Sequence, residues 1–103
     1  MIARVWRGAT TGESADKYQA HVLQSVFPTL QDISGHRGAY LLKRSVEGRV
    51  EFLAMTLWDS MDAIREFAGS DVDVAVVEPR AQAVLEEYDR TVKHYEVVLG
   101  TDT

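Results

Sequence analysis

Four stretches of the chain carry the apolar patterns of β-strands. Met1–Gly8 is rich in Ile, Val and Trp, and Thr91–Leu99 is rich in Val and Tyr. Between them, Gly38–Val46 and Arg49–Trp58 flank the dipeptide Glu47-Gly48, a connection typical of a β-hairpin. The pattern therefore predicts four strands, of which the middle two are joined by a tight turn.

The segment Glu13–Ile33 has the apolar spacing of a long helix. Its apolar residues recur at steps of three and four along one side. Pro28 lies inside this pattern and cannot donate a backbone hydrogen bond. We therefore predict a kink or an interruption near Leu23–Gln24, and Gly35 is a suitable left-handed residue after the end of the helix.

Two shorter helices are predicted after the hairpin. Ser60 can cap the first, over Met61–Ala68, and Pro79 suits the first turn of the second, which extends to about Tyr88. The resulting order is strand, helix, strand, strand, helix, strand. This order predicts an α+β, ferredoxin-like split βαβ fold with an antiparallel sheet, and we expect residues 1–103 to form a single domain.

The predicted strand Arg49–Trp58 is apolar on both of its faces. One face presents Phe52, Ala54 and Trp58, and the other presents Leu53, Met55 and Leu57. Helices on one side of a sheet can cover only one such face, and monomers rarely expose a large apolar patch. We therefore predict a homodimer in which two sheets pack face to face. The alternative is a monomer with a mildly apolar second face.

Composition and charge exclude several classes of protein. The 103 residues have 46% hydrophobic and 26% charged side chains, which are ordinary globular values. The net charge is −5 and the basic residues are scattered among acids, so we expect no nucleic-acid partner. No apolar run is long enough for a membrane span and no export signal is evident, so we expect a cytoplasmic protein. The absence of Cys removes disulfides and thiolate chemistry.

Four segments resemble the antibiotic biosynthesis monooxygenase superfamily. They are MIARVWRG at the start, GHRGAYLL from Gly35, the segment Phe52–Asp59 that ends in TLWD, and HYEV from His94. The resemblance covers nearly the whole chain, and it implies a dimeric α+β barrel with a pocket between the helices and the sheet. Activities in this superfamily include oxidation of polycyclic phenols by molecular oxygen without a cofactor, quinol oxidation and haem degradation.

The resemblance argues against haem degradation. The haem degraders of the superfamily use an Asn on the first strand, a Trp on the second helix and a His after it. In this chain those positions fall on Trp6, on Phe67 and on Val76 or Val77, and the chain contains no Asn. We therefore do not expect haem to be ligated in that way.

Oxygenation without a cofactor needs an apolar pocket, a base and a group that holds an anion. Arg4 and Trp6 share one strand face, which the resemblance places toward the helices, so Arg4 could hold an oxyanion there. A salt bridge at the sheet edge is the alternative role for Arg4. The aromatic candidates for substrate binding could also be core or water-facing residues; they are Trp6, Phe27, Tyr40, Trp58, Phe67 and Tyr95.

The three histidines are the candidates for acid–base chemistry. His94 lies on the last predicted strand and is the first candidate for the base, with an exposed or interface position as the alternative. His21 lies on the polar side of the long helix, where we expect it to be exposed unless the kink at Pro28 turns it inward. We expect His36 in a loop. Their spacing forms no metal-binding pair, and we expect neither a metal nor a cofactor.

Three functions fit this sequence. The leading one is a cofactor-independent monooxygenase for a phenolic or quinol-like small molecule, in which His94 removes a proton and Arg4 stabilises the anion. The second is a non-catalytic dimer of the same fold that binds a small hydrophobic ligand. The third is a structural dimer whose pocket is filled by Trp6, Phe27 and Phe67. The long connection Gly69–Glu78 could be a pocket lid or a packed irregular turn.

Overall fold

An antiparallel sheet with helices on one face forms the frame of the molecule. The computed structural model describes residues 1–101. The strand order is β2-β3-β1, with both β4 and β5 on the free edge of β1. This is the ferredoxin-like order, so the predicted α+β fold is confirmed. The strands are β1 (Ile2–Thr10), β2 (His36–Val46), β3 (Arg49–Trp58), β4 (Glu87–Tyr88) and β5 (Lys93–Glu96).

The central hairpin follows the sequence prediction. Glu47 and Gly48 both have positive φ values, 51° and 79°, and Val46 pairs with Arg49 across the turn. Two consecutive residues in this conformation match the right-handed twist of the strands on either side. The hairpin therefore fixes which face of β3 each side chain occupies.

The long helix is interrupted where proline chemistry predicts it. Helix α1 (Gly12–His21) continues as one π-helical turn, Val22–Val26, and then as α2 (Phe27–Gln31). The N–H of Phe27 donates to the carbonyl of Val22, one residue farther back than in an α-helix. This wider turn accommodates the missing N–H of Pro28 without ending the helix.

The two remaining helices differ in how well the sequence predicts them. Helix α3 (Met61–Ala68) has the predicted bounds, and the Ser60 side chain accepts a hydrogen bond from the N–H of Ala63. Helix α4 (Pro79–Val84) ends earlier than predicted. It ends there because the chain turns to join the sheet, where the N–H of Glu86 donates to the carbonyl of Ala9.

The last predicted strand, Thr91–Leu99, is present only as the shorter β5, and the two residues of β4 come from the segment predicted to be helical from Pro79 to about Tyr88. Strand β4 pairs with Gly8 and Ala9, and β5 pairs with the segment from Ile2 to Val5. Residues 90–92 between them pair with residues 73–75, through hydrogen bonds from Ala75 N–H to the Arg90 carbonyl and from Val92 N–H to the Asp73 carbonyl. The segment before α4 thus forms backbone hydrogen bonds with residues 90–92, which therefore do not pair with β1.

The core lies between the helices and the sheet. Tyr18 of α1 packs on Phe52 of β3 with ring centroids 4.8 Å apart, and Leu30, Trp58 and Ile64 form a second buried cluster. The opposite face of β3 is only half-buried, as its alternation predicts. Within the described residues, no helix has the length and apolar character needed to cross a membrane.

Gly35 and Gly48 allow a matched test of backbone strain against crowding. Both have positive φ, but a Cβ on Gly35 would lie 2.6 Å from the Cβ of Ala63, whereas a Cβ on Gly48 would meet no atom within 4 Å. We expect Gly35→Ala to lower the free energy of unfolding by about 2–4 kcal/mol, because strain and overpacking add. Gly48→Ala should lower it by only about 1 kcal/mol. Urea unfolding of both variants measures the difference, and equal losses would contradict this explanation.

Candidate functional site

A cavity lies between the helices and the sheet. Its volume is about 110 Å³. Trp6, Phe27 and Phe67 form part of its wall and do not fill it, which argues against a purely structural pocket. The other residues around the cavity are mainly apolar, and its polar side chains are Arg4, Tyr18, His21, Thr29, Thr56 and Glu78.

Arg4 is the buried cation of this cavity. It is 5% exposed and projects from β1 toward the helices, as the family resemblance implies. Its Nη1 donates to the carbonyl of Val72 (2.6 Å), and its Nη2 donates to the carbonyl of Val74 (3.0 Å). Burial lowers the pKa of Arg4, and the carboxylate of Asp73 opposes that shift. The hydrogen bonds of the side chain therefore go to neutral carbonyls, which do not cancel its charge.

The segment between α3 and α4 is packed down by these bonds. Val72 and Val74 give their carbonyls to Arg4, and residues 73–75 pair with residues 90–92. Val76, Val77 and Glu78, from the same segment, line the cavity. The sequence allowed the connection Gly69–Glu78 to be a pocket lid or a packed irregular turn. In the structure it covers the cavity, and hydrogen bonds hold it to Arg4.

His94 supports Arg4 and does not line the cavity. The two residues are directly opposite on β1 and β5, and Nη1 of Arg4 lies 3.0 Å from Nε2 of His94. Because Nη1 is a donor, Nε2 accepts and the ring proton lies on Nδ1, which is 3.5 Å from Oδ1 of Asp73. The Nε2 lone pair that would take a substrate proton is therefore already used. This geometry favours a role for His94 in holding Arg4 over its expected role as the base, which stays a prediction.

The aromatic wall consists of Trp6, Phe27 and Phe67. Trp6 is fixed by a hydrogen bond from Nε1 to the carbonyl of Asp89 (2.8 Å), and Cζ of Arg4 lies 5.8 Å from the centre of the Phe67 ring. Trp58 does not reach the cavity. It is fully buried behind the wall, stacked on Phe67 with ring centroids 5.6 Å apart, and its Nε1 donates to Thr56.

Tyr40 and Tyr95 lie on the opposite face of the sheet. Tyr40 pairs with Met55, and Tyr95 pairs with Ala3, so both point away from the helices. Each is about half exposed. The expectation that their hydroxyls reach the cavity is therefore corrected, because neighbouring residues of a strand alternate between the two faces.

His21 lines the cavity, a position that the sequence analysis expected only if the kink at Pro28 turned it inward. Its side chain is only 8% exposed and lines the cavity, and neither ring nitrogen has a hydrogen-bond partner. One available signal was that His21 lies three residues after Tyr18, beside the buried stripe of Ala15, Tyr18 and Val22. A helical wheel on which only its polar neighbours are considered predicts a solvent-exposed side chain.

His36 lies away from the cavity and begins β2 instead of lying in a loop. Its ring packs edge-on against Trp58 at 5.1 Å. Burial lowers the pKa of its ring, and the backbone of Gly38 opposes that shift. Among residues 1–101, no group of three or more His, Asp or Glu residues could hold a metal ion.

The residues around the cavity do not match the haem site expected from the superfamily. Trp6 has its only polar atom bonded to Asp89, and Phe67 and Val77 offer no ligand atom. Arg4 is the positive group of the cavity, and it suits a small anion. The described residues therefore give no support to haem ligation at those positions.

Comparisons with known proteins agree on the fold. A family model described as antibiotic biosynthesis monooxygenase matches residues 1–79. No curated protein shows a significant match.

Three similar solved structures share the fold at low sequence identity. A Bordetella bronchiseptica protein provisionally classed as an antibiotic biosynthesis monooxygenase is 19% identical, with a TM-score of 0.68 over 95% of this chain and 97% of that chain. A Bacillus cereus protein of the same provisional class is 13% identical, with a TM-score of 0.67 over 100% and 96%. The haem degrader MhuD from Mycobacterium tuberculosis, with two haems in its active site, is 18% identical, with a TM-score of 0.63 over 99% and 100%.

His94 should make the protein less stable in mild acid. Burial, and then the charge of Arg4, lower its pKa in the fold, while Asp73 opposes them. Below the unfolded pKa of about 6.5, the unfolded chain therefore binds a proton that the folded chain does not, and stability falls as pH falls. We expect His94→Gln to flatten the loss of melting temperature between about pH 7.5 and 5.5. His36→Gln should remove a separate part of the dependence of melting temperature on pH. If His94→Gln leaves that dependence unchanged, His94 is not the cause of the acid destabilisation.

Proposed function

Because the chain belongs to the antibiotic biosynthesis monooxygenase family, we propose that it is a cofactor-independent monooxygenase. Its substrate is a phenolic or quinol-like small molecule that binds in the cavity between the helices and the sheet. The observation that carries this proposal is one buried guanidinium, Arg4, in an otherwise mainly apolar cavity. Such a site favours a flat molecule that becomes an anion during its reaction.

The proposed reaction is balanced without an external reductant. A phenol whose keto form carries a CH₂ group loses one proton, and the resulting carbanion–enolate forms a carbon–oxygen bond with O₂. The hydroperoxide then loses water and leaves a carbonyl, so CH₂ plus O₂ gives C=O plus H₂O. The substrate supplies all the electrons, and the protein supplies position and charge stabilisation.

Each site residue has a defined part in this proposal. Arg4 holds the anionic oxygen, and His94 fixes the guanidinium through the contact between Nη1 and Nε2. Trp6, Phe27 and Phe67 contact the faces of the substrate ring. Trp58 acts only through Phe67, on which it is stacked. Tyr40 and Tyr95 have no part in the site.

A second candidate function is non-catalytic binding of a small hydrophobic ligand by the same cavity. It is favoured by the fact that two of the polar groups around the cavity are already bonded, since Thr56 accepts from Trp58 and Thr29 donates to Ser25. Ligand binding and oxygen uptake separate these two functions.

We expect a phenol or quinol substrate to raise the melting temperature and to support oxygen uptake. At 100 times its dissociation constant a ligand adds about 2.7 kcal/mol, a shift on the order of 10 °C for a chain of this size. Arg4→Met should lower oxygen uptake about 10²–10³-fold, because it removes the donors that hold the anion. Arg4→Lys keeps the charge and should retain more activity.

Tyr40→Phe, on the other sheet face, is the control and should behave as wild type. A melting shift without oxygen uptake would support the binding protein instead. A shift with haem alone would contradict the proposed substrate class.

The second sheet face is the proposed homodimer interface. Leu42 is 49% exposed, the Tyr40 and Tyr95 side chains beside it are about half exposed, and Leu53, Met55 and Leu57 lie half-buried on the same face. Two such faces together would exclude water from this apolar surface.

We expect a dimer mass in sedimentation equilibrium at micromolar concentration, and we expect Leu42→Glu to give a monomer because it would bury a charge. Leu23→Glu is the matched control, since Leu23 is 53% exposed on the helical side. Its variant should remain a dimer. A single-chain mass for the wild type would overturn the proposed interface.

A further inference from the structure

We propose that His21 is the proton acceptor of the cavity, so that its ligand is an aromatic compound with an acidic hydroxyl group. The ligand gives this proton to the His21 ring and binds to Arg4 as an anion. This inference rests on the proposed function, because it names the base that the oxygenation needs. The step is a proton transfer alone: the O–H bond breaks, its electrons stay on oxygen, and an N–H bond forms on the ring.

The ring of His21 forms no hydrogen bond with the protein groups around it. Both Nδ1 and Nε2 are buried, and neither has a hydrogen-bond partner in the fold. A buried polar group left without a partner costs roughly 1–3 kcal/mol. His94 by contrast uses Nε2 for Arg4, and its Nδ1 faces Asp73. Of the two histidines near the cavity, only His21 keeps a free ring nitrogen for a ligand.

The local backbone places His21 at the cavity. It is the last residue of α1, directly before the π-helical turn Val22–Val26 that accommodates Pro28. Turns of this kind occur often at functional sites, because they change the direction of neighbouring side chains. Tyr18, one turn earlier, and Val22 are both buried, so the ring is held among packed side chains.

The charges around the ring suit proton transfer from a neutral ligand. The titratable side chains that line the same cavity are Arg4, Tyr18 and Glu78. Burial raises the pKa of Tyr18, so this phenol stays neutral. Oε2 of Glu78 lies 3.7 Å from Nε2 of His21, where it can stabilise an imidazolium. After transfer, the ligand anion faces Arg4 and the imidazolium faces Glu78, which gives two opposite-charge pairs.

The size of the cavity selects a probe. An apolar cavity of roughly 150 Å³ holds benzene, so a cavity of about 110 Å³ that is partly open to solvent suits a single ring. The probe is 4-nitrophenol, which is acidic and absorbs visible light only when ionised. Nitrobenzene is the matched ligand without a hydroxyl group.

The decisive experiment is nitrogen NMR of protein with ¹⁵N-labelled histidine, titrated with 4-nitrophenol at pH 6.5, where most of the free probe is neutral. The chain has three histidines, so the His21 signals are identified by their loss in His21→Gln. We expect saturation to move the His21 ring nitrogens fully to imidazolium values while the nitrophenolate band grows beyond that of the free probe at the same pH. His36 signals should not change, because His36 lies outside the cavity.

Affinity gives a second measurement. His21→Gln should weaken 4-nitrophenol binding about 10- to 100-fold, as expected for loss of a charged hydrogen-bond partner. It should weaken nitrobenzene binding much less, and His36→Gln should change neither. If His21→Gln fails to fold, the wild-type titration alone still decides the question.

A His21 ring that stays neutral while 4-nitrophenol is bound would overturn the proposal, and so would failure of 4-nitrophenol to bind at millimolar concentration. The titration involves no turnover. A protein that protonates His21 on binding but consumes no oxygen with any quinol would therefore retain this proton site and lose the proposed monooxygenase function.

Discussion

The architecture around the cavity depends on one buried guanidinium. Arg4 lies on β1 in the centre of the sheet, and its hydrogen bonds reach the segment between α3 and α4 as well as β5. A charge buried to this extent is tolerated only when its donors are satisfied. The carbonyls of Val72 and Val74 do this, and in doing so they fix the segment that covers the cavity. The separation of β4 from β5 belongs to the same arrangement, because residues 90–92 between them form backbone hydrogen bonds with residues 73–75.

The features that local sequence determines were predictable. The hairpin at Glu47-Gly48, the capped helix α3 and the interruption before Pro28 each follow from residues within one turn of the feature. The two faces of β3 follow from strand alternation alone. The early end of α4 was not predictable in this way, because it depends on a hydrogen bond to Ala9, a residue far away in the sequence.

The candidate site was predicted in part, for a similar reason. Arg4, Trp6, Phe27 and Phe67 line one cavity in the structure, and their roles in it remain predictions. His94 and Tyr95 are neighbours on a strand, so alternation alone shows that they cannot face the same pocket. The difference between His21 and His94 lies beyond sequence reasoning, because it depends on which ring nitrogen already has a partner in three dimensions.

The bonds from Arg4 to the covering segment have a kinetic consequence. The residue proposed to bind the anion is also the residue that holds Val72 and Val74 in place, so a bound ligand and a closed segment depend on the same side chain. A ligand that leaves past this segment breaks these two hydrogen bonds on its way, so along that route its residence time depends on them as well as on the affinity of the ligand itself. Equilibrium affinity and exchange rate are thereby coupled through a single arginine.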